Sequence, residues 1–399
     1  MLDIRGLVER EIARNKGILH LKPTWVPRTF ISGGSRLGLK EKEYNLGNGK
    51  GWISERWFAS ITKSNPPISS EDEGLSYLDI DDSKNITLKD AVEFAGELIM
   101  GKEYAKSHNG LERLAKMYDY DDRAPLHIHQ MKKHANLVNS NPKEEAYYFP
   151  EGVDLGPHPE TFFGVHPYIS EQKKYDILLP YLIDWNSDLI LQHSRAYKII
   201  AGEGFHVPAG ILHAPGTALT IELQEDSDVL AFFQAMVGGK IVSKDLLFKD
   251  VRREDREKYG ERYILEQVDW EASGDPYFYE NHRTYPQLIK DTKQEGGEEY
   301  WIYYNTKKFS GKKLIVKPGK SYFSQDKGVY NLFILKGEGT FDGHKIKAGN
   351  FGQDELLITY ERAVKPLKVN NTGKTEMEII KFFGPDINND SPIIKKYKS

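Results

Sequence analysis

The chain has no cysteine among its 399 residues. This absence excludes disulfide bonds, cysteine-ligated zinc sites and catalysis by a thiol. The sequence also has no run of about 18 apolar residues and no charged-then-apolar amino terminus, so neither a membrane span nor a secretory signal is expected. With a formal net charge of −4, it lacks the basic field that favours nucleic acid or an anionic membrane. We therefore expect a cytoplasmic protein that binds neither nucleic acid nor a membrane.

Two short patterns contain the residues that are best suited to bind a metal. In the first, His127 and His129 stand two residues apart, and Glu145 follows after a long polar insert. The second pattern has the spacing Gly-x5-Pro-x-Gly-x2-His and ends at His213. Three imidazoles and one carboxylate suit a divalent transition metal and leave coordination positions open for a substrate. The sequence therefore predicts a metal site formed by these four residues.

Strand geometry explains how the four residues could meet. His127 and His129 would point to one face of a strand, because side chains two residues apart share a face. Glu145 opens the apolar run AYYF, which predicts a partner strand. The Pro-x-Gly corner favours a tight turn that directs His213 back toward the other three.

The rest of the sequence predicts a β-rich protein with a helical part. Helical spacing extends from residue 87 to residue 117, ahead of the first metal pattern. Alternating runs such as FHVPAGILHAP and ALTIELQ predict a β-rich core from about residue 125 to residue 238. A densely charged stretch, KDVRREDREKYGERY, precedes a second alternating region that begins near Tyr300 and has no His-x-His pattern. We expect a metal-binding domain at 1–250, a charged connecting segment at 251–295 and a second, metal-free domain at 296–399.

The two metal patterns resemble those of cupins, and the chain resembles the class I mannose-6-phosphate isomerases, a metal-dependent group of cupins. The resemblance rests on the strings DDRAPLHIHQMKK, KEEAYYF and VPAGILHA, with ISERWFAS near the amino terminus. It implies a mainly β fold of two cupin (jelly-roll) β-barrels, with a helical segment before the metal-binding motif of the first. The string LFILKGEGTFDGHKIKAG is similar to the core of a second, metal-free cupin barrel.

The resemblance also implies the metal ligands. His129, Glu145 and His213 fall on ligands of the family, and His127 replaces a ligand glutamine with a residue that is itself a competent ligand. One divalent metal is therefore expected. The donor atoms alone would accept zinc, iron, manganese, nickel or cobalt, and the resemblance favours zinc.

Two further residues fall on active-site positions of the family, and a third departs from them. Glu222 falls on the active-site Glu and is expected to transfer the proton, while Lys143 is expected to contact substrate oxygens. Phe232 stands where the family has an active-site Arg. A Phe offers no fixed charge to a phosphate, so the substrate could be a free sugar or a sugar phosphate.

The expected activity is metal-dependent aldose–ketose isomerisation of the mannose/fructose type, by proton transfer through an enediolate. Two alternatives stay open at this point. Three histidines and a glutamate also occur in iron-dependent cupin dioxygenases, which need no Arg. A non-catalytic sugar-binding or regulatory cupin would also be compatible with the loss of the Arg. The expected partner is a small sugar or sugar phosphate, and a homodimer is one candidate assembly.

Overall fold

The computed structural model describes residues 3–80 and 85–397 of the chain. These residues fall into two compact units, each assembled from separate stretches of sequence. Unit 1 is drawn from 1–26, 56–116 and 285–393, and unit 2 from 27–55, 117–284 and 394–399. The scheme of domains at 1–250, 251–295 and 296–399 stays a prediction.

The α-helices are short apart from two. In chain order they are α1 Ile4–Arg14, α2 Glu41–Tyr44, α3 Leu88–Met100, α4 Lys102–Ser107, α5 Lys132–Ala135, α6 Pro167–Ser170, α7 Leu179–Asp184, α8 Arg253–Tyr259, α9 Arg262–Glu266, α10 Trp270–Gly274, α11 Phe278–His282 and α12 Tyr360–Ala363. Short 3-10 helices occur at Asn136–Val138, Glu171–Leu178, Leu189–His193, Lys244–Leu246 and Lys290–Thr292.

The β-strands are more numerous. The first half of the chain contains β1 Ile18–His20, β2 Thr24–Arg28, β3 Trp52–Phe58, β4 Leu114–Tyr118, β5 His127–Ile128, β6 Glu145–Tyr148, β7 Glu160–Val165 and β8 Ser194–Lys198. The middle contains β9 Gly204–Val207, β10 His213–Ala214, β11 Thr220–Gln224, β12 Ala231–Phe232, β13 Met236–Val237, β14 Lys240–Ile241, β15 Arg283–Thr284 and β16 Gln287–Leu288. The last part contains β17 Gly297–Tyr303, β18 Ser310–Val316, β19 Ser321–Ser324, β20 Tyr330–Lys336, β21 Glu338–Phe341, β22 His344–Lys347, β23 Glu355–Ile358, β24 Leu367–Asn371 and β25 Met377–Phe383.

Unit 1 is built on two antiparallel sheets. The larger has the order β1-β23-β20-β25-β18-β17-β16, and the smaller has the order β19-β24-β21-β22. The amino-terminal strand β1 lies at one edge of the larger sheet, where Ile18 is the partner of Ile358. Aliphatic side chains from these strands and from α1 and α3 form one buried core. Burial of this apolar surface is the main favourable contribution to the stability of the unit.

Helix α3 shows how the sequence determines the helical part of unit 1. Thr87 caps its amino end by accepting a hydrogen bond from the Asp90 N–H. The helix ends at Gly101, whose φ of 85° lies in the left-handed region that favours glycine. Its buried residues recur at helical spacing and are Leu88, Ala91, Val92, Ala95, Ile99 and Met100.

The expected helix does not continue to residue 117. Helix α4 ends at Ser107, and Glu112 then has a φ of 49°, which a right-handed helix does not allow. Residues 114–118 form β4, and all five are buried. The helical prediction for this stretch is therefore wrong, because a strand that is buried on both faces has no alternation by which the sequence would distinguish it from a helix.

Unit 2 contains the residues of the predicted metal site. Its five-stranded antiparallel sheet has the order β12-β5-β10-β7-β8. Strands β15, β9, β6 and β11 are neighbours in that order in another antiparallel sheet. One buried apolar cluster includes residues of β5, β10 and β12, and a second includes residues of β6, β7 and β9. The mainly β class that the sequence predicts is therefore confirmed.

Among the residues that the structure describes, no helix has both the length and the apolar character needed to cross a membrane.

Candidate metal centre

Three buried histidines converge in unit 2. His213 on β10 is the antiparallel partner of His127 on β5, and His129 follows two residues after His127. Their ring centroids are 4.0 to 4.9 Å apart. One ring nitrogen from each lies within 4.8 Å of the others, a spacing at which three nitrogens could share one metal ion.

Backbone carbonyls determine which nitrogen of each ring faces the centre of the site. The Nδ1–H groups of His127, His129 and His213 donate to the carbonyls of Pro125, Val229 and Ile211 over 2.7, 2.7 and 2.8 Å. A carbonyl can only accept, so Nδ1 carries the hydrogen and Nε2 carries the lone pair. This tautomer is the one in which Nε2 can bind a metal.

The carboxylate of Glu145, on β6, lies between two of these rings. Its Oε2 is 3.0 Å from His129 Nε2, and its Oε1 is 3.1 Å from His213 Nε2. Burial raises the pKa of Glu145, but Lys143 and the two histidines more than offset this effect and hold the pKa well below its usual range. The hydroxyl of Tyr147 also donates to Glu145, and burial, with the Glu145 charge, raises the pKa of Tyr147 well above its usual value.

The remaining two predicted site residues lie beside Glu145. Lys143 Nζ is 2.8 Å from Glu145 Oε2, 2.8 Å from His129 Nε2 and 3.5 Å from Glu222 Oε1. Glu222 on β11 stands directly opposite Tyr147 on β6. The structure thus brings all six predicted site residues together, and each of them is buried.

The donor set fits a divalent cation. Burial and the adjacent Lys143 lower the pKa of His129 to about 3, so its ring is neutral and its Nε2 lone pair faces a carboxylate oxygen. Within the described part of the chain, the buried His213 Nε2 has no hydrogen-bond partner. The His213 Nε2 lone pair lies 3.1 Å from Glu145 Oε1, and two lone pairs face each other favourably only when a cation lies between them. The residues present can therefore supply three nitrogens and one carboxylate to a metal ion.

The Pro-x-Gly corner connects the two metal patterns. Gly210 has a φ of 87°, and its N–H donates to the carbonyl of His129 over 2.8 Å. A side chain at position 210 would approach Met131 Cγ at 3.0 Å and Asp269 Cβ at 3.1 Å. The positive φ therefore favours glycine here, and a side chain would push Met131 and Asp269 aside.

Phe232 on β12 is the direct partner of His127. The two rings are 6.0 Å apart, and Phe30 packs edge-on against Phe232 at 4.9 Å. Phe232 is only 2% exposed. Phe232 therefore gives the histidine cluster an apolar neighbour at the position where a charged side chain could otherwise stand.

Several residues near the site were not identified from the sequence. Tyr147 could have been identified as a partner of Glu145 from the two-residue spacing on one strand. No local sequence pattern predicts the bond of His129 to the Val229 carbonyl or the bond of Arg28 to Asp228. Both bonds join segments that are far apart in sequence.

The overall structure has close counterparts of known fold. Mannose 6-phosphate isomerase from Bacillus subtilis matches with a TM-score of 0.59 and 16% identity, covering 92% of this chain and 99% of that one. A variant of phosphomannose isomerase from Salmonella typhimurium matches with a TM-score of 0.60 and 11% identity, covering 92% of this chain and 100% of that one. The chain has the fold of the mannose-6-phosphate isomerases.

A zinc-bound mannose 6-phosphate isomerase is also among the structural neighbours, with a TM-score of 0.57, 12% identity and coverage of 92% of this chain and 100% of that one. By sequence, no protein-family model and no curated protein matches the chain. The likeness therefore lies in the structure, and at these identities it establishes the fold.

Proposed function

We propose that the protein is a metal-dependent aldose–ketose isomerase, acting on a sugar or sugar phosphate of the mannose/fructose type. The observation that carries this proposal is the convergence of His127, His129, His213, Glu145 and Glu222 in one buried cluster. The shared fold with mannose-6-phosphate isomerases supports the same conclusion.

His127, His129, His213 and Glu145 would hold one divalent ion. Zinc is the proposed ion, because a structural neighbour is a zinc-bound isomerase and the nitrogen and oxygen donors suit zinc. When bound, such an ion polarises carbonyl and hydroxyl oxygens and stabilises negative charge on them.

Glu222 would transfer the proton, and Lys143 would contact the substrate oxygens. Glu222 would accept a proton from one sugar carbon and return it to the adjacent carbon, and the hydroxyl proton of the first carbon would pass to the carbonyl oxygen of the second, so that aldose and ketose interconvert. The Lys143 ammonium, 3.5 Å from Glu222, would offer a positive charge to a substrate oxygen as that oxygen becomes negative. Glu222 is buried, so water competes little for the transferred proton.

We also propose the finer architecture that this function implies. Two cupin barrels would divide the chain, with a metal-binding domain at 1–250, a connecting segment at 251–295 and a metal-free barrel at 296–399. The antiparallel sheets of both units support two β-rich parts, although β1 Ile18–His20 pairs with β23 Glu355–Ile358. A location in the cytoplasm stays a prediction from composition.

Metal analysis combined with a sugar assay tests the proposal. The purified wild type should hold one divalent ion per chain and should convert mannose to fructose, as measured by chromatography of the products. The double variant His129→Ala/His213→Ala should lose both the ion and the activity. A double variant that keeps a full equivalent of metal would show that the ligands are wrongly assigned.

Mannose and mannose 6-phosphate should be compared in the same assay. Because buried Phe232 offers no charge to a phosphate, we expect little or no preference for the phosphorylated sugar. A strong preference would require another cation, and Lys132, Lys133 and Lys143 would be tested first. Oxygen consumption without isomerisation would indicate a dioxygenase, and sugar binding without turnover would indicate a binding protein.

A further inference from the structure

One of the three histidines is held by a carbonyl that is distant in sequence. His127 and His213 donate to carbonyls two residues earlier in their own segments, at Pro125 and Ile211. These two contacts are local in sequence. His129 donates instead to Val229, which is 100 positions away in sequence. Its orientation therefore depends on whatever holds Val229 in place.

The residue next to Val229 forms a buried ion pair. Asp228 accepts from Arg28 Nη2 at 3.2 Å and from Arg28 Nη1 at 3.3 Å. The same guanidinium donates from Nε to Glu55 Oε1 at 2.6 Å and from Nη2 to Glu55 Oε2 at 3.1 Å. All three side chains are almost fully buried. Lys249 Nζ donates to the backbone carbonyl of Asp228 over 2.7 Å.

The shape of the guanidinium is essential to this arrangement. Its planar fork of donors can bind two carboxylates at once, whereas an ammonium is a compact charge that lacks the fork. Burial lowers the pKa of Arg28, but Asp228 and Glu55 more than offset this and raise it well above its usual value. Without the guanidinium, two buried carboxylates would face each other, and repulsion would displace Asp228 together with Val229.

A second route connects the same ion pair to the metal site. Glu55 also accepts from the Tyr120 hydroxyl over 2.7 Å, and Tyr120 stacks on Tyr118 at 4.8 Å. Tyr118 meets the ring of Tyr147 edge-on at 6.2 Å, and Tyr147 donates to Glu145. Arg28 and its two carboxylate partners are thus connected both to Val229, which binds His129, and to Tyr147, which binds Glu145.

We propose that Arg28 is a positioning residue for the metal site, which holds Asp228 so that the Val229 carbonyl orients the imidazole of His129. This inference rests on the proposed metal ligands and adds to them a residue that touches neither metal nor substrate. It predicts that a change at Arg28 acts on His129 and leaves His127 and His213 in place.

The test uses the full-length chain with Arg28→Lys, which keeps the charge and loses the fork, and Asp228→Asn, which keeps the shape and weakens the pair. Zinc affinity is measured by competition with a chelator. The imidazole Nδ1–H resonances are followed by NMR in the metal-free protein. We expect zinc affinity to fall about 10- to 100-fold in both variants. The His129 resonance should shift or broaden, while those of His127 and His213 should not.

Arg36→Lys is the matched control. Arg36 binds Asp119 in the same unit through its Nε at 2.7 Å. Its guanidinium also donates to the backbone carbonyls of Tyr120, Asp154 and Thr217. The zinc affinity of Arg36→Lys should stay within about twofold of the wild-type value. This change is much smaller than the loss expected when a residue that positions a ligand is altered. The inference would be overturned if the Arg28→Lys and Asp228→Asn proteins are folded and keep both the wild-type zinc affinity and the wild-type His129 resonance. A loss of affinity with an unchanged His129 resonance would overturn it as well.

The outcomes separate this inference from the proposed function. If the wild type binds zinc but converts no aldose, the proposed function fails and the role of Arg28 stands. If the wild type is an active isomerase and Arg28→Lys binds zinc normally, the inference fails alone. If the wild type binds no zinc, the His129 resonance of the metal-free variants still decides the role of Arg28.

Discussion

At the scale of single residues, Glu222 is buried and lies 3.5 Å from the ammonium of Lys143. It stands directly across from Tyr147, which donates to the proposed ligand Glu145. A carboxylate in this position can move a proton without helping to bind the ion. Its role can therefore be separated from that of the ligands by a substitution that preserves shape.

We expect Glu222→Gln to reduce turnover about 10²- to 10⁴-fold, because the amide cannot accept the proton. Metal content should remain at the wild-type level. Isomerase kinetics and metal analysis of the same preparation check both parts. The control is Glu254→Gln on α8, whose side chain is largely exposed and which should keep full activity. Unchanged turnover in Glu222→Gln would remove this residue as the base.

Substitutions at Gly210 and Gly152 distinguish the effect of backbone strain on stability from the effect of the corner on metal binding. Gly210→Ala and Gly152→Ala both place an L residue at positive φ, 87° and 74° respectively, which costs about 1–2 kcal/mol of stability. A side chain at position 152 meets open space, whereas at position 210 it crowds Met131 and Asp269. We therefore expect both variants to unfold at lower denaturant concentration, and only Gly210→Ala to lose zinc affinity. Equal zinc affinity in the two variants would contradict the role of this corner.

At the scale of strands, the second β-rich region holds a buried ion cluster that its alternating pattern did not reveal. Lys312 on β18 and Lys381 on β25 are direct partners, an arrangement that is unfavourable without compensating charge. Lys381 Nζ binds Glu299 at 2.7 Å and Asp326 at 2.8 Å, and Lys312 Nζ binds Asp326 at 2.6 Å. Two cations and two carboxylates thus neutralise one another in the interior of unit 1.

Asp326→Asn should destabilise the protein by about 3–5 kcal/mol at neutral pH, because it leaves buried lysine charge uncompensated. Chemical denaturation measures this loss. Asp390→Asn, which breaks the exposed pair with Lys327, should cost no more than about 1 kcal/mol. A loss in Asp326→Asn as small as that control would show that the cluster contributes little.

The same residue predicts a pH dependence. Burial raises the pKa of Asp326, but Lys381 and Lys312 more than offset this and lower it from 3.8 to about 2. The unfolded chain therefore takes up a proton that the folded chain does not, and stability falls as the pH drops from about 4 to about 2. Acid denaturation of the wild type should show this loss, and Asp326→Asn should lack it. Identical acid profiles would contradict the lowered pKa.

At the scale of the whole molecule, the sequence predicts those features that depend on neighbouring residues. The two-residue spacing of His127 and His129 and the corner at Gly210 are local features. The convergence of the site residues could therefore be predicted from the sequence. The bonds of His129 to Val229 and of Arg28 to Asp228 span 100 and 200 positions, and no local pattern encodes them. The two interleaved units could not be predicted for the same reason, because the order of segments in sequence differs from their grouping in space.

Zinc should protect one unit selectively, because all the proposed ligands lie in unit 2. At a free concentration about 100 times its Kd, zinc stabilises the bound state by about 2.7 kcal/mol, which corresponds to roughly 100-fold slower exchange of the best-protected amides. Hydrogen exchange should slow in β6, β10 and β11 and stay unchanged in β18 and β25. Equal slowing in both units would show that the stabilisation spreads through the whole chain.

The edge pairing of β1 with β23 has a consequence for the biosynthesis of the protein. Ile18 is synthesised well before its partner Ile358, which lies 340 residues later in the sequence (358 − 18). At 5–20 residues per second, the nascent strand waits roughly 20 to 70 s for that partner. During this interval its apolar residues have no sheet to join, and the larger sheet of unit 1 cannot close before β23 is synthesised. We therefore expect newly made chains to depend on chaperones that bind the amino-terminal segment.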